Sequence, residues 1–228
     1  MTPKSRARLV HLLTATGAAF AIAAIFAAFE NAWPEMFLFL LGALAVDGAD
    51  GPLARKYDVK NYAPEWDGAI MDLIIDYLTY VFIPALAVAK GLIPGHLGTA
   101  IAVIIAVSGV IYFSDTRMKT KDYSFRGFPG CFNMIVVVLF ILSPPVWISV
   151  LLLLAASAAQ FAPVKFIHPV RTKRWRKLSL PIMLIWSACV LWGCIANFNP
   201  PLICSVVLVA TSLWLLFAGA VQQLSDPL

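Results

Sequence analysis

Charged side chains are scarce in this sequence. Only 13% of its 228 residues are charged, whereas 61% are hydrophobic. Soluble domains have about a quarter of their residues charged and about half apolar. A chain this apolar lacks the polar side chains needed to cover a folded surface in water, which excludes an ordinary soluble domain. Lipid is therefore the expected solvent.

The usual cysteine and histidine patterns of metal and disulfide proteins are also missing. The chain has three histidines and four cysteines, and no two cysteines have C-x-x-C spacing. Free thiols in apolar stretches behave as small hydrophobic side chains. We therefore expect buried, unpaired thiols at all four positions, which are Cys131, Cys189, Cys194 and Cys204.

Long apolar runs, in contrast, fill the chain. A helix needs about 20 apolar residues to cross the hydrocarbon core of a bilayer. The runs predict eight spans, at roughly 9–29, 33–54, 67–89, 96–115, 128–143, 146–164, 178–197 and 200–221. The fifth and sixth are short and nearly adjacent, which suits a tight hairpin. The predicted fold is an all-α integral membrane bundle of about eight helices. It forms a single domain over residues 1–228, with core helices over about 9–164 and two additional helices over about 178–221.

The basic residues lie in the polar segments between these runs. The net charge is +5, but cations spread in this way indicate membrane topology and no nucleic-acid partner. With the N-terminus in the cytoplasm, sixteen of the seventeen Lys and Arg residues fall on the cytoplasmic side, and Lys90 is the exception. This positive-inside pattern supports an even number of spans and two cytoplasmic termini. Lys4, Arg6 and Arg8 precede a run long enough to span, without a clear cleavage site, so we expect no cleaved signal peptide.

Four aspartates lie inside predicted spans, where charge is costly. On insertion scales each costs roughly 2.5–3.5 kcal/mol at a helix centre, so such residues usually mark function. Asp47 and Asp50 are three residues apart in one span, and Asp72 and Asp76 are four apart in the next. Each pair therefore occupies one face of its helix. Because the connection is short, the two helices are antiparallel neighbours, and the four carboxylates are expected to converge near the cytoplasmic face.

Four adjacent carboxylates repel one another unless cations neutralise them. All-oxygen ligands favour Mg²⁺, Mn²⁺ or Ca²⁺ over zinc, which prefers His and Cys. Hard cations at a membrane face suit phosphate chemistry, because two metals bridge phosphate oxygens and stabilise the charge that develops on transfer. Taken singly, any of the four aspartates is as well explained by a helix-end charge in contact with water.

The residues around the aspartates form a motif. It reads D-x-x-D-G-x-x-A-R from Asp47 to Arg55 and, after twelve residues, G-x-x-x-D-x-x-x-D from Gly68 to Asp76. All eight fixed positions match the signature of the CDP-alcohol phosphotransferase family, which the chain therefore resembles. With average residue usage, chance agreement is on the order of one in a billion per start position.

The resemblance implies an enzyme in which an alcohol hydroxyl attacks the phosphorus of a CDP-linked lipid and CMP leaves. It implies that Asp47, Asp50 and Asp72 bind two divalent ions, Mn²⁺ or Mg²⁺. Asp76 would help to hold the second ion and act as the general base. The residues expected against the CDP moiety are Gly51, Ala54, Arg55, Gly68, Thr14 and His11. The last two begin the first helix, and their pattern also suits an ordinary helix start.

The chain resembles one branch of this family more closely than the others. The twelve-residue spacer and the extra Gly48 resemble the branch that forms phosphatidylcholine, which implies CDP-diacylglycerol and choline as substrates. It also implies a homodimer in the bacterial inner membrane, with its active site on the cytoplasmic side. Other segments that resemble this branch are Asp76-Tyr77-x-x-Tyr80, the Tyr112 to Thr120 stretch, Gly127-Phe128-Pro129 with Asn133, and Phe166 to Arg171.

Choline carries a fixed positive charge, and aromatic faces bind such cations at about 0.5–2 kcal/mol per ring. Tyr80 is the favoured ring because it lies one turn beyond Asp76 on the same helix face. The full set of choline candidates, with Asp115 as a charge partner, is Tyr77, Tyr80, Tyr112, Asp115, Trp66 and Phe128. Each ring taken alone also suits a helix interface or the aromatic belt of a membrane.

The basic segment 165–177 has two interpretations. Its cations suit anionic lipid headgroups, or Lys165, His168 and Arg171 contact the substrate phosphates. Two other functions stay open. The acceptor of the same reaction can be serine, inositol or glycerol phosphate, and a phosphorylated acceptor would favour a pocket rich in Arg and Lys. A cation transporter or channel would also use buried aspartates, but transporters often have repeated halves, which this sequence lacks.

Overall fold

The chain is mostly helical, with two short strands, in its computed structural model, which describes residues 1–224. Its helices are α1 (Pro3–Phe29), α2 (Trp33–Lys56), α3 (Val59–Tyr62), α4 (Gly68–Leu92), α5 (Gly95–Phe113), α6 (Phe132–Leu142), α7 (Val146–Ala159), α8 (Arg176–Ile195) and α9 (Leu202–Gln223). Two short strands, β1 (Phe125–Arg126) and β2 (Lys165–Phe166), pair antiparallel. The predicted all-α fold is confirmed. The predicted cytoplasmic C-terminus falls on residues 225–228, outside the described residues.

Eight apolar helices occupy the places of the eight predicted spans. Six of them, α1, α2, α4, α5, α8 and α9, are long and apolar enough to cross a membrane. The other two, α6 and α7, have only 11 and 14 residues, fewer than the about 20 that a straight crossing requires. The chain is therefore a multi-pass membrane protein whose fifth and sixth apolar helices form the short hairpin expected from the sequence.

Local sequence signals set the ends of the helices near the aspartates. The Thr2 side chain accepts a hydrogen bond from the Ser5 N–H at the start of α1, and the Asp67 side chain accepts from Ala69 and Ile70 at the start of α4. Such caps satisfy N–H groups that have no partner within the helix. Asn31, with φ of 56°, lies in the turn between α1 and α2. The cap at Asp67 sets the first residue of α4, and so determines which face of the helix Asp72 occupies.

Helix α1 packs against α2 and α4 through small side chains. Its buried residues include Ala21, Ala24 and Ala28, which let the backbone of α2 approach closely. Gly17 faces α4, where an added Cβ would lie 2.6 Å from Ile75 Cγ2. This close packing brings the C-terminal part of α2 and the N-terminal part of α4 onto the same side of α1.

The polar segments gather at one end of the bundle. Pairing of β1 with β2 joins the 114–131 and 160–175 loops. A Cβ on Gly51, near the end of α2, would lie 3.2 Å from Arg171 of the second loop. At the same end, the His11 ring of α1 contacts the Ala63 carbonyl oxygen at 3.3 Å. The segments that carry nearly all the positive charge therefore share one end of the molecule.

The four cysteines are free, but the prediction that all four are buried is wrong for two of them. Cys194 and Cys204 are buried, and Cys131 and Cys189 are half-buried. The Cys204 thiol donates a weak hydrogen bond to the Cys189 carbonyl oxygen at 3.6 Å. These contacts agree with thiols that fill space between helices.

The contact between α1 and α4 can be tested at Gly17. We expect Gly17→Leu to destabilise the fold by roughly 1–3 kcal/mol, because the new side chain overlaps Ile75 in a packed interface. Thermal unfolding of the purified protein in detergent measures the change. Gly48→Ala is the matched control, since a Cβ at Gly48 meets nothing within 4 Å. Equal midpoints for both variants would contradict this account of the packing.

Candidate metal centre and phosphate site

A small cavity lies between α1, α2 and α4 at the basic end of the bundle. All four predicted aspartates line it. Its full lining is Thr14, Gly17, Ala43, Val46, Asp47, Asp50, Asp72, Ile75, Asp76 and Thr79. The predicted convergence of the two aspartate pairs on one site is therefore confirmed, while the roles of the individual residues stay predictions.

Three of the aspartates form a tight cluster. One carboxylate oxygen each from Asp47, Asp50 and Asp72 lies within 4.8 Å of the other two. Asp76 lines the same cavity one helical turn beyond Asp72. A hard divalent cation bound at about 2.0–2.6 Å from each oxygen fits such spacing, and the donors are the oxygens that Mg²⁺ and Mn²⁺ prefer. The cluster can therefore hold a divalent cation.

Two hydroxyl groups orient the cluster. Tyr80 donates a hydrogen bond to Asp47 Oδ2 at 2.5 Å, and Thr14 donates to Asp50 Oδ2 at 2.7 Å. Groups that hold metal-binding side chains in this way tune both their geometry and their affinity. Thr14 was predicted to contact nucleotide and Tyr80 to contact choline. The sequence missed their bonds to the aspartates, although the Asp76–Tyr80 spacing already placed Tyr80 on the right face.

The backbone of α4 changes immediately after Asp76. Residues Tyr77–Phe82 form a π-helical segment inside the longer helix. Such segments are rare and often occur at functional sites, because the wider turn shifts the side chains that follow. Here the segment contains Tyr80, whose hydroxyl reaches across to α2.

Three cations, Arg55, Lys119 and Arg171, lie near the aspartates, and we call them the entrance cations. The charge of Lys119 acts on Asp47, Asp72 and Asp76. Arg171 also acts on Asp47, and a Cβ at Gly51 would lie between the guanidinium groups of Arg171 and Arg55, at 3.2 and 3.5 Å. Positive groups above an acidic cluster suit an anion that is shared between metal ions and side chains. Lys119 was missed as a site residue; its only sequence signal was its place in the Tyr112 to Thr120 stretch.

His168 lies beside these cations but is not one of them. Burial, together with the charges of Arg171, Lys119 and Arg55, lowers the pKa of His168 to about 4. The ring is therefore neutral at pH 7. Its Nδ1 accepts hydrogen bonds from the N–H groups of Val170 and Arg171, so it organises the turn that carries Arg171.

The remaining nucleotide candidates are His11 on α1, Gly68 at the start of α4 and Ala54 on α2. His11 is buried, and a Cβ on Gly68 would lie 3.0 Å from its Cε1 atom. The His11 ring meets Trp66 edge-on at 5.7 Å, and Arg8 lies 6.0 Å from the Trp66 ring. Trp66 therefore packs against α1 at the entrance, apart from Tyr80. Ala54 is half-buried on α2, close to Arg55.

The predicted choline residues do not form one pocket. Tyr77 donates to the Ala106 carbonyl oxygen on α5 at 3.1 Å. Phe128 is buried against Phe132 and Phe166. Asp115 is paired with Arg117, whose hydrogen bonds lower the Asp115 pKa to about 2.

The two remaining tyrosines among the choline candidates, Tyr80 and Tyr112, are buried in the helix bundle. Both lie within electrostatic range of the Cys131 thiol, which itself lies near Asp47 and Asp76. Tyr112 is buried, and its hydroxyl has no hydrogen-bond partner among the described residues.

Sequence comparisons identify relatives over most of the chain. No model of a protein family matches it. A phosphatidylcholine synthase from Brucella melitensis is 42% identical over 97% of this chain and 81% of its own length. Those of Mesorhizobium japonicum and Rhizobium meliloti are 47% and 40% identical, over 82% and 96% of this chain and 70% and 91% of their own.

The chain belongs to the phosphatidylcholine synthase family. The predicted resemblance is therefore confirmed, and the protein is a multi-pass bacterial membrane enzyme. Of the three phosphate candidates drawn from the sequence, Arg171 lies at the entrance to the site. Lys165 forms an ion pair with Asp122 at 3.3 Å, and His168 is neutral.

Metal binding by this phosphatidylcholine synthase homologue can be tested directly. We expect Asp50→Asn to weaken Mn²⁺ binding most, because it removes a ligand, and Thr14→Val to weaken it by about tenfold, because it frees the Asp50 carboxylate. Calorimetric titration of the purified protein with Mn²⁺ measures both. Asp58→Asn, an exposed aspartate outside the cavity, is the control. Unchanged affinity in the Asp50 variant would exclude the cluster as the metal site.

Proposed function

We propose that the protein transfers the phosphatidyl group of CDP-diacylglycerol to the hydroxyl of choline and releases CMP. Two divalent ions, Mn²⁺ or Mg²⁺, are assigned to the four aspartates. The observation that carries the proposal is the carboxylate cluster of Asp47, Asp50 and Asp72, with Lys119 and Arg171 close enough for their charges to act on it. It occurs in a chain whose relatives are named phosphatidylcholine synthase.

The entrance cations bind the diphosphate of the nucleotide lipid. Arg55 and Arg171 flank Gly51, which has no side chain to occupy the space between them. Lys119 approaches from the 114–131 loop. Charge-assisted hydrogen bonds from such groups to phosphate oxygens are strong, and those from arginine also set orientation. The divalent ions would neutralise the remaining phosphate charge and polarise the phosphorus centre.

Asp76 accepts the proton of the attacking hydroxyl at a carboxylate oxygen. A choline hydroxyl is a weak acid, so it needs a base within hydrogen-bond reach. Asp76 lines the cavity beside Asp72 but lies outside the tight triad, which leaves it available to the acceptor. The new bond joins the choline oxygen to the phosphorus of the phosphatidyl group, and the bond to the CMP oxygen breaks.

Choline suits this cavity better than a phosphorylated acceptor. The aspartate cluster attracts a quaternary ammonium group, and Tyr80 and Tyr112 supply aromatic faces nearby. The cations Arg55, Lys119 and Arg171 stand at the entrance, where the diphosphate requires them. Glycerol phosphate would need further cations beside Asp76. The support for this choice is the lining of the cavity, which includes four aspartates and, among the described residues, no Lys or Arg.

Catalytic activity tests the reaction and the base together. We expect the purified protein in mixed micelles to release CMP and form phosphatidylcholine when CDP-diacylglycerol, choline and Mn²⁺ are present. A chelator should abolish the reaction. Asp76→Asn should lower kcat by about 10²- to 10⁴-fold, the usual contribution of a general base, while Asp58→Asn should not. Equal product formation with serine in place of choline would refute the acceptor assignment.

The basic end of the bundle is assigned to the cytoplasm, with the N-terminus and the active site. The homodimer implied by the family resemblance stays a prediction. Truncations fused to green fluorescent protein test the orientation, since the reporter fluoresces only in the cytoplasm. We expect bright fusions after Lys121 and Lys173, and a dark fusion after Pro94, which lies in the turn between α4 and α5. The reverse pattern would invert the topology.

A further inference from the structure

A second polar cluster lies beside the active site. Lys165 is 3% exposed, and its ammonium group lies 3.3 Å from Asp122 Oδ2. Gln222 of α9 donates a hydrogen bond to the same oxygen at 2.6 Å. We name these three residues, Asp122, Lys165 and Gln222, the loop anchor. It joins the 114–131 loop, the 160–175 loop and the end of the last helix, which are distant in sequence.

Asp122 also shapes its own loop. Its Oδ1 accepts hydrogen bonds from the Thr120 hydroxyl and from the Ser124 N–H, the latter at 3.1 Å. Burial raises the pKa of Asp122, but the bonds from Thr120, Ser124 and Lys165 outweigh it and hold the pKa at about 2. The side chain is therefore ionised at neutral pH, and its two oxygens serve the loop and the anchor respectively.

The first loop carries an active-site cation next to this turn. Lys119 immediately precedes Thr120, and its backbone forms a bridge with Phe125. Thr120 is tied to Ser124 through both its N–H and its hydroxyl. The position of Lys119 over the aspartates is thus set by the turn that Asp122 holds.

The second loop carries Arg171 and is joined to the same turn. The Ser124 hydroxyl lies 3.4 Å from the Thr172 hydroxyl, which accepts a hydrogen bond from the His168 N–H at 3.0 Å. Helix α9 fixes the start of this loop, since Gln223 accepts from the Lys165 N–H at 2.8 Å. Both loops are therefore fastened at one place.

The ion pair of the loop anchor is buried on one side only: the Lys165 side chain is 4% exposed and that of Asp122 is 28% exposed. Removing the Lys165 charge from water is costly, and ion pairs of this kind are weak evidence for stability. In some proteins such groups instead fix one arrangement of the segments that they join. This property matters here because the two loops place Lys119 and Arg171.

We propose that Asp122, Lys165 and Gln222 are positioning residues for nucleotide binding. They hold both loops against α9 so that Lys119 and Arg171 stay near the aspartates, where they can bind a nucleoside diphosphate. The proposal rests on the proposed function for its substrate, CDP-diacylglycerol. Its distinctive consequence is that loss of the anchor weakens binding of the nucleotide and leaves the chemistry and choline binding intact.

Asp122→Asn preserves the shape of the side chain and removes its charge. We expect the KM for CDP-diacylglycerol in mixed micelles to rise by about tenfold, as is typical when a supporting partner is lost. The kcat at saturation and the KM for choline should stay within about threefold of the parent. Calorimetric titration with CDP in the presence of Mn²⁺ should show the same loss of affinity.

Paired variants test whether the anchor acts as a unit. Lys165→Met should lower the affinity for CDP as much as Asp122→Asn does. The double variant should bind CDP no more weakly than the weaker-binding single variant, because both changes remove one interaction. Lys165→Arg keeps the charge and should restore most of the affinity. Glu65→Gln is the control, since it breaks an exposed ion pair with Arg8 at the same end of the bundle.

Three results would overturn the proposal. The first is an unchanged KM and CDP affinity in Asp122→Asn. The second is a parallel fall in kcat, choline binding and thermal stability, which indicates a purely structural role. The third is fully additive effects in the double variant. If Asp122→Asn does not fold, Gln222→Leu removes one hydrogen bond and is measured in the same way. If the parent protein does not use choline, the proposed function is wrong. The titration with CDP then still tests the role of the loop anchor, because it does not depend on the acceptor.

Discussion

Repulsion between carboxylates is the constraint on which the rest of this site depends. Two charges within 4.8 Å of each other repel by roughly 3 kcal/mol or more at an effective dielectric constant of about 20. The bonds from Tyr80 and Thr14 return only about 1–3 kcal/mol each, which does not offset three such pairs. Positive charge must therefore reach the cluster. The entrance cations supply part of this positive charge, and the spacing of the carboxylate oxygens suits a divalent cation that would supply the rest.

Sequence reasoning succeeded where the structure is periodic. Helical spacing placed Asp47 with Asp50 and Asp72 with Asp76, and the short α2–α4 connection made their helices neighbours. The apolar runs located all eight apolar helices, because the thickness of a bilayer limits their length. Loops have no such period. Nothing in the spacing of Lys119, Asp122 and Lys165 indicated that their segments meet, since that depends on β1, β2 and the end of α9.

Aromatic residues show where prediction from the sequence is weak for a different reason, namely that there are many of them. They make up 12% of the chain, so a ring close to the motif in sequence is weak support for a shared pocket. Tyr80 binds Asp47 through its hydroxyl, whereas Trp66 packs on α1 and Phe128 fills the core.

The shortness of α6 and α7 has a consequence for how they are held in the membrane. At 1.5 Å per residue these helices are about 16 and 21 Å long, against a hydrocarbon thickness of about 30 Å. Seven of the eleven residues of α6 are buried inside the protein. Contacts with neighbouring helices, and not the thickness of the lipid, therefore determine the length of α6.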